Sequence, residues 1–258
     1  EIQLSHFNKI GEVNFRASGN FMFARNKVLF MDETPWGEGH EYMNETGGPM
    51  GAGLQYRAIG IFRDQAALDS YPHLDAARPG DLIFEDVDGD GKITSLDRVR
   101  QNLTGFPEII FGLNLSADWK NFDISVLFQG QARAVKDVIS RMDATSNFYK
   151  WRAEDRWTED NIDGKMPRAG GTIIYGVENP CSFWTQNASF VRLKNLEIGY
   201  TLPNLWFNKL RISNCRVYLS GQNLFALDHI KYVDPEGSGE GSYYPQMRIF
   251  NIGCNLTF

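Results

Sequence analysis

Apolar and polar residues alternate along the last part of the chain with a period of two. The apolar positions are Phe250, Ile252, Cys254, Leu256 and Phe258, and small or polar residues stand between them at Asn251, Gly253, Asn255 and Thr257. Successive side chains of a β-strand point to opposite faces of its sheet. The pattern therefore predicts a strand with one apolar and one polar face.

Six other segments carry the same kind of alternation. Together with the last one, the predicted strands lie near 1–6, 12–25, 110–119, 122–131, 190–202, 215–226 and 246–258. Two of them have equal arms around Lys120-Asn121, which predicts a β-hairpin with a two-residue turn. The alternation changes phase near Asn195, which indicates either a β-bulge or a strand whose first part stands above a membrane.

Short connections alternate with long ones along this series of strands. The short ones lie near 7–11, at 120–121 and at 203–214, and the long ones cover 26–109, 132–189 and 227–245. Short turns at one rim and long loops at the other are typical of outer-membrane β-barrels, whose strands turn one face to lipid and one to a wet lumen. We therefore expect an all-β chain of about seven antiparallel transmembrane strands with long extracellular loops.

Seven strands are too few to close a membrane barrel, since such barrels have about eight strands or more. An open sheet edge in lipid would leave unpaired backbone groups that each cost several kcal/mol. The sequence therefore predicts that this is the C-terminal part of a larger barrel, or that a second chain completes it. The chain opens on Glu1 without a signal peptide, so we expect that one was removed or that a longer polypeptide precedes Glu1.

Composition agrees with a barrel and argues against other classes. The net charge of −6 argues against nucleic-acid binding. Mean hydropathy is −0.36, and no run approaches the roughly 18 apolar residues of a membrane helix. The 13% aromatic content suits interfacial girdles, and Trp119 and Phe122 flank the predicted hairpin turn, where such a girdle would lie. The odd number of cysteines, with no CxxC spacing, predicts free thiols rather than a disulfide framework.

One segment of the first long loop matches the pattern of an EF-hand-type calcium loop. The match runs from Asp86 to Asp97, with a glycine at the sharp bend at Gly91. A hard cation takes oxygen ligands, and a loop that curls around it presents alternate residues. The predicted ligands of a structural calcium ion are Asp86, Asp88, Asp90, Lys92 through its carbonyl, Thr94 and Asp97. The alternative is a solvated Asp/Gly turn.

The remaining candidates are aromatic side chains of the loops and polar side chains of one strand. The aromatic candidates for contact with a ligand or partner protein are Trp36, Trp151, Trp157, Trp184, Tyr243 and Tyr244, although such rings also form the small cores of long loops. The candidate lumen-facing residues are Arg216, Tyr218, Ser220, Gln222, Asp123, Asn251 and Asn255. No nucleophile, phosphate-binding or zinc motif is found, so the sequence does not indicate an enzyme.

A series of short motifs runs along the chain in a recognisable order. The segment Gly80 to Ile93 is similar to the stretch GDLKFKDVNGDGKID. The motifs that follow it begin at Phe111, Phe122, Asp155, Ala188, Gly199, Val217, Asp234 and Tyr244. In order and spacing these motifs resemble the C-terminal end of SusC/RagA-type TonB-dependent outer-membrane transporters. The resemblance covers nearly the whole chain and is densest from Gly80 to Phe258.

The resemblance implies a 22-stranded barrel with an N-terminal plug, in the bacterial outer membrane and energised through TonB. It also implies a SusD-like lipoprotein that closes over the extracellular mouth, and import of oligosaccharides or peptides. The plug and the TonB-contacting segment would lie in the remaining part of the receptor. Two alternatives remain: a secreted calcium-stabilised β-sandwich that acts as an adhesin or glycan-binding module, and an outer-membrane hydrolase, for which no catalytic set can be assembled.

Overall fold

A computed structural model describes residues 1–138, 150–169, 180–203, 212–231, 233–237 and 246–258. Two short helices lie among them, α1 at Gln65–Asp69 and α2 at Lys150–Glu154. The strands of this part of the chain are β1 Ile2–Ile10, β2 Val13–Phe23, β3 Leu54–Tyr56, β4 Ala58–Ile61, β5 Leu82–Phe84, β6 Arg98–Arg100, β7 Ile109–Trp119, β8 Phe122–Ala132, β9 Val135–Asp137, β10 Thr185–Asn187, β11 Phe190–Thr201, β12 Asn214–Asp228 and β13 Ile249–Thr257.

Seven of these strands form one antiparallel sheet, in the order β1-β2-β7-β8-β11-β12-β13. The predicted all-β fold with seven antiparallel strands is confirmed. Because neighbours in the sheet follow one another along the chain and run antiparallel, the long connections after β2, β8 and β12 all leave from the same rim. The alternative of a β-sandwich is wrong for the described residues, since their long strands lie in one sheet and not in two packed sheets.

The largest difference from the predicted strands lies at the start of the chain. We predicted a strand near 1–6 and a connection near 7–11, whereas β1 continues to Ile10 and the turn lies at Gly11 and Glu12. Gly11 has φ +62°, the left-handed conformation that glycine adopts without strain. Asn8 and Lys9 resemble turn residues in sequence, but they pair with residues of β2. At the other end, β13 begins at Ile249 rather than near 246, and β12 extends to Asp228.

The predicted hairpin and bulge both occur. Trp119 of β7 pairs with Phe122 of β8, so the turn consists of Lys120 and Asn121, and Lys120 has φ +53°. The register of β11 shifts between Leu193 and Asn195 in its pairing with both of its neighbours. A β-bulge therefore explains the change of phase in the sequence.

The register brings apolar side chains into rows on one face of the sheet. One such row crosses five strands through Ala117, Ile124, Ile198, Leu219 and Ile252, which are paired neighbours from β7 to β13. Leu219 is 59% exposed and Ile252 is 79% exposed, as expected for side chains that face lipid rather than a protein core.

An aromatic row lies beside the short turn on the same face. The rings of Trp119 and Phe122 are stacked at 6.3 Å, and that of Tyr200 lies 4.6 Å from Phe122. Tyrosine and tryptophan rings of this kind mark the edge of the apolar band of a membrane barrel.

The first two long loops fold together into one unit. The backbone of Tyr56 pairs with that of Pro180 and Ser182, more than 120 residues away along the chain. Small two-stranded sheets, β3 with β6, β4 with β5 and β9 with β10, support this unit. Its core consists of Tyr56, Ile61, Leu82, Phe84, Ile93, Cys181 and Trp184. Burial raises the pKa of the Cys181 thiol to about 12, so this cysteine is an apolar core residue.

Candidate functional site

An ion-pair network crosses three strands on the polar face of the sheet. The guanidinium of Arg216 on β12 donates its Nε–H to the Asp123 carboxylate of β8 at 2.9 Å, and its Nη2 also bonds that carboxylate. The same Nη2 donates to Glu197 of β11 at 2.7 Å. Arg216 also lies over the ring of Tyr218, with its guanidinium carbon 5.3 Å from the ring centroid. The predicted polar residues Arg216, Tyr218 and Asp123 thus form a packed network.

Glycines create the space that these polar side chains occupy. A Cβ added at Gly199 would lie 2.4–2.5 Å from atoms of Arg216 and Asp123, and one added at Gly253 would lie 2.5 Å from Tyr218. Real Cβ atoms do not approach other atoms so closely. A side chain at either glycine would therefore displace its cross-strand neighbours. Ser220, Asn251 and Asn255 lie on the same face, and Gln222 is an exposed member of it next to the bulge.

A second ion-pair cluster joins the loop-side ends of three neighbouring strands. Glu108, just before β7, accepts hydrogen bonds from Arg25 at 2.9 and 2.7 Å and from Arg133 at 2.5 Å. Arg25 follows β2, and Arg133 follows β8. The hydrogen bonds from Arg25 and then from Arg133 lower the pKa of Glu108 to about 2.

Basic side chains hold the start of the third long loop against β11. Arg192 is buried and pairs with Asp234 at 2.7 Å, while Lys194 pairs with Glu236 at 2.8 Å. From the second loop, Lys136 donates to the carbonyl oxygens of Asp234 and Gly237. Burial alone would raise the pKa of Asp234, but hydrogen bonds from the Glu236 backbone and from Arg192 lower it below its ordinary value.

Sequence reasoning did not identify this anchor. Arg192 and Lys194 are the signal that could have pointed to it, since both are charged residues in a strand that is otherwise mainly apolar. The acidic residues that they bind were recognised only as part of a family motif.

A cavity of about 490 Å³ lies where the three long loops meet the end of β8. The first loop contributes Gln101 and Thr104, the second Lys136, the third Glu236, and β8 contributes Gln131. Gln131 and Asp123 are an even number of residues apart on β8, so their side chains point to the same side of the sheet. Gln131 therefore lies on the polar face. Burial lowers the pKa of Lys136. The cavity therefore opens on the polar side of the sheet, at the rim from which the long loops leave.

The calcium-like loop brings three of its predicted ligands together. Carboxylate oxygens of Asp86, Asp88 and Asp97 all lie within 4.8 Å of one another. Asp86 accepts hydrogen bonds from the backbone of Gly89 and Gly91, at 2.8 and 3.0 Å. These bonds curl the loop around the group. Gly89 and Gly91 have φ values of +74° and +81°, as such a tight loop requires.

The other three predicted ligands, Asp90, Lys92 and Thr94, are not among the grouped carboxylates. The carboxylate of Asp90 accepts from the Lys92 backbone at 2.8 Å and is not one of the three grouped carboxylates. The hydroxyl of Thr94 caps a short 3-10 helix by accepting from Leu96 at 3.1 Å. Asp97 is fully buried and accepts from the backbone of Val87 and Thr94. Asp97 thus links the two ends of the loop.

The structure separates the aromatic candidates into core and surface residues. Trp184 is 3% exposed and belongs to the core of the loop unit, which is the alternative role given above for such rings. Trp157 packs against the same core and donates its indole N–H to the Arg63 carbonyl at 3.0 Å. Trp36 is 41% exposed and stays a candidate. The side chain of Trp151 and the whole of Tyr243 and Tyr244 lie outside the described residues.

No helix among the described residues is long and apolar enough to span a membrane. No family model matches the chain. Individual relatives do match it. TonB-dependent receptor P26 of Formosa agariphila is 31% identical over 81% of this chain and 22% of the receptor. TonB-dependent receptor SusC of Bacteroides thetaiotaomicron is 26% identical over 86% of this chain and 22% of the receptor.

Solved structures share the fold. The structure of the RagAB peptide transporter matches 99% of this chain and 28% of that chain, with a TM-score of 0.70 and 23% identity. The RagAB peptide importer in its open-open state matches with a TM-score of 0.71. These proteins are named as receptors, transporters and importers rather than as enzymes.

The chain spans only about a quarter of the length of these proteins, 22% to 28% in the four comparisons above. Within that quarter, the match in fold covers 99% of this chain and so includes the seven-stranded sheet. SusC/RagA-type receptors are β-barrel proteins of the outer membrane. Sequence and fold together identify this chain as part of a SusC/RagA-type TonB-dependent receptor of the bacterial outer membrane.

Proposed function

We propose that this chain forms part of the barrel wall and of the extracellular loops of an active transporter that imports oligosaccharides or peptides. The two faces of its sheet carry the proposal. The row through Ile198, Leu219 and Ile252 faces lipid, while the network around Arg216 and Asp123 lines the lumen. A barrel wall with this polarity surrounds a polar path across the membrane.

The proposed transporter works with a SusD-like surface lipoprotein and draws energy through TonB. The plug and the TonB-contacting segment belong to the part of the receptor outside this chain. Support comes from the likeness to SusC and to RagAB, which is named as a peptide importer and has been solved in open-open and closed-closed states. Exposed Trp36 in the first long loop is a candidate contact for the lipoprotein.

Uptake by cells tests this proposal. A strain that lacks the receptor gene would be compared with the complemented strain for uptake of fluorescent oligosaccharides and fluorescent peptides. We expect one of the two classes to enter only the complemented strain, and only while TonB is present. Equal uptake of both classes with and without the receptor, or uptake that persists after TonB depletion, would contradict the proposal.

We also propose that the loop from Asp86 to Asp97 binds a structural calcium ion. The spacing of its acidic residues and the grouping of Asp86, Asp88 and Asp97 support this role. Three carboxylates held this close repel one another, and a divalent cation would relieve that repulsion. Because Asp97 also joins the two ends of the loop by backbone hydrogen bonds, the ion would stiffen the unit formed by the first two long loops.

A further inference from the structure

We infer that the cavity between the three long loops is a binding subsite for a neutral saccharide unit of the transported ligand. Its volume of about 490 Å³ is in the range of small-molecule sites. It lies on the polar side of the sheet, at the rim from which the long loops leave. The assignment of the cavity to transported ligand rests on the transport function proposed above.

The walls of the cavity mix hydrogen-bond donors and acceptors. Gln101 and Gln131 contribute amides, Thr104 a hydroxyl, and Asp137 and Glu236 carboxylates. Gln131 donates its Nε2–H to the Ala188 carbonyl at 3.1 Å, and its own carbonyl oxygen has no hydrogen-bond partner among the described residues. Sugar hydroxyls both donate and accept, so a ligand that is rich in hydroxyls matches such a lining.

Four of the lining residues of the cavity are glycines, namely Gly51, Gly53, Gly105 and Gly237. They have no side chains to fill the cavity, although the carbonyls of Gly53 and Gly237 already accept hydrogen bonds from Gln101 and Lys136. The apolar part of the lining is small and consists of Val135, Ala188 and Pro235. A peptide segment would need apolar pockets for its side chains, which this lining does not provide.

The charges of the walls already have partners, which favours a neutral ligand over an ionic one. Glu236 pairs with Lys194 at 2.8 Å, and Asp137 accepts from the Thr185 hydroxyl at 2.6 Å. Lys136 donates to the carbonyls of the third loop. An anionic or cationic ligand would have to compete for these groups, whereas a neutral sugar can add hydrogen bonds without breaking an ion pair.

One glycine allows the cavity to be filled without strain in the loop. Gly105 has an ordinary backbone conformation, and a Cβ added there has only the Val135 carbonyl within 4 Å, at 3.8 Å. The variant Gly105→Leu therefore adds an apolar side chain at the wall of the cavity without a clash at its Cβ. The matched control is Gly19→Leu, because Gly19 of β2 also has room for a Cβ, at 3.7 Å from the nearest atom, and lies on the lipid face. A second cavity variant, Gln131→Ala, removes one amide without adding volume.

Binding would be measured by fluorescence polarisation on the full receptor purified from outer membranes, with wild type, both cavity variants and the control. The probes are end-labelled hexasaccharides of neutral glucans, mannans and xylans, hexamers of galacturonate, and labelled mixed octapeptides. We expect at least one neutral hexasaccharide to bind. Gly105→Leu should weaken that binding about tenfold or more, which corresponds to loss of about 1.4 kcal/mol, Gln131→Ala should weaken it by a smaller factor, and Gly19→Leu should leave it unchanged.

Three results would overturn the inference: no neutral hexasaccharide binds, only the galacturonate or peptide probes bind, or both cavity variants bind like the control. Uptake by cells separates this failure from failure of the transport proposal. If Gly105→Leu cells import ligand as well as Gly19→Leu cells do, transport stands and the subsite is wrong. If the wild-type receptor imports neither class of ligand, the transport proposal itself is wrong.

Discussion

Arg216 on β12 reaches across the whole of β11 to pair with Asp123 on β8, and Gly199 of the intervening strand leaves the space for this pair. Three adjacent strands are therefore held together by side chains as well as by their backbone ladders. Both charged partners are about three-quarters buried. In a membrane barrel, such a network on the polar face stabilises the wall without exposing charge to lipid.

We expect Gly199→Val to break this network. Its side chain would occupy the space between Arg216 and Asp123 and separate the two charges. The free energy of unfolding should fall by about 1–3 kcal/mol, as for the loss of a partly buried hydrogen-bonded pair. Urea unfolding of the full receptor in detergent measures the change. Gly19→Val is the control, since its side chain has room on the lipid face, and equal midpoints for the two variants would contradict the role of Gly199.

Acid should destabilise the loop-side rim of the sheet, because it protonates Glu108 and weakens its ion pairs with Arg25 and Arg133. The pKa of this carboxyl is about 2 in the folded protein, below its ordinary value of 4.5. A lowered pKa means that the charged form stabilises the fold. This contribution is complete above pH 4.5 and is lost as the pH falls from 4.5 through about 2. The urea midpoint of wild type should therefore fall over this range, whereas that of Glu108→Gln should already be low at pH 7 and fall less.

The control for Glu108 is Glu12→Gln at the opposite rim. Glu12 pairs with Lys120 at 3.3 Å, but both side chains are at least 60% exposed, and exposed pairs contribute little. Its acid response should match that of wild type. If Glu108→Gln and wild type respond to acid in the same way, the Glu108 cluster does not stabilise the rim.

Trp184 should be required for the first two long loops to stay folded together. It is almost fully buried in the core that joins them, so Trp184→Ala should remove about 3–5 kcal/mol from the stability of this unit. We expect proteases to cleave both loops in the variant while the barrel remains intact. Trp36→Ala, a change at an exposed ring, should remain as resistant as wild type. Cleavage of neither variant would show that the core does not hold the loops.

The sheet could be predicted from the sequence because each strand shows its own alternation of apolar and polar residues within a short stretch of chain. Each long strand alternates with a period of two, and the turn at Lys120-Asn121 and the bulge at Asn195 interrupt that period where they occur. The end of β1 was missed because Asn8 and Lys9 have the composition of a turn, while cross-strand pairing keeps them in the sheet.

The loop unit and the anchor of the third loop could not be predicted in this way. Strands such as β3 and β4 have three or four residues, too few to show a period. The contact of Tyr56 with Ser182 and the pairing of Arg192 with Asp234 join distant segments. The charge of Arg192 indicates that it needs a partner, but a single sequence does not show which distant residue that partner is. For the calcium-like loop, the spacing predicted four carboxylate ligands, and the structure groups Asp86, Asp88 and Asp97 but not Asp90.

Removal of calcium should loosen the loop unit if the ion binds as proposed. We expect EGTA to lower the protease resistance of wild-type loops and calcium to restore it. Asp88→Asn should abolish the response, because it removes one of the three grouped carboxylates. Asp90→Asn is the matched control and should keep most of the response, since Asp90 is outside that group and bonds the Lys92 backbone. A wild-type protein that is indifferent to EGTA would contradict the calcium proposal.

The central claim is that one face of the sheet meets lipid and the other lines the lumen. Labelling of cysteines at successive positions of β12 tests it most directly. Single cysteines would be placed by Val217→Cys, Tyr218→Cys, Leu219→Cys and Ser220→Cys in the full receptor, after its native cysteines are replaced by alanine. A charged maleimide would then be applied to outer-membrane vesicles. If one face lines the lumen and the other meets lipid, the cysteines at 218 and 220 should react and those at 217 and 219 should not. Equal reaction at all four positions would contradict the account.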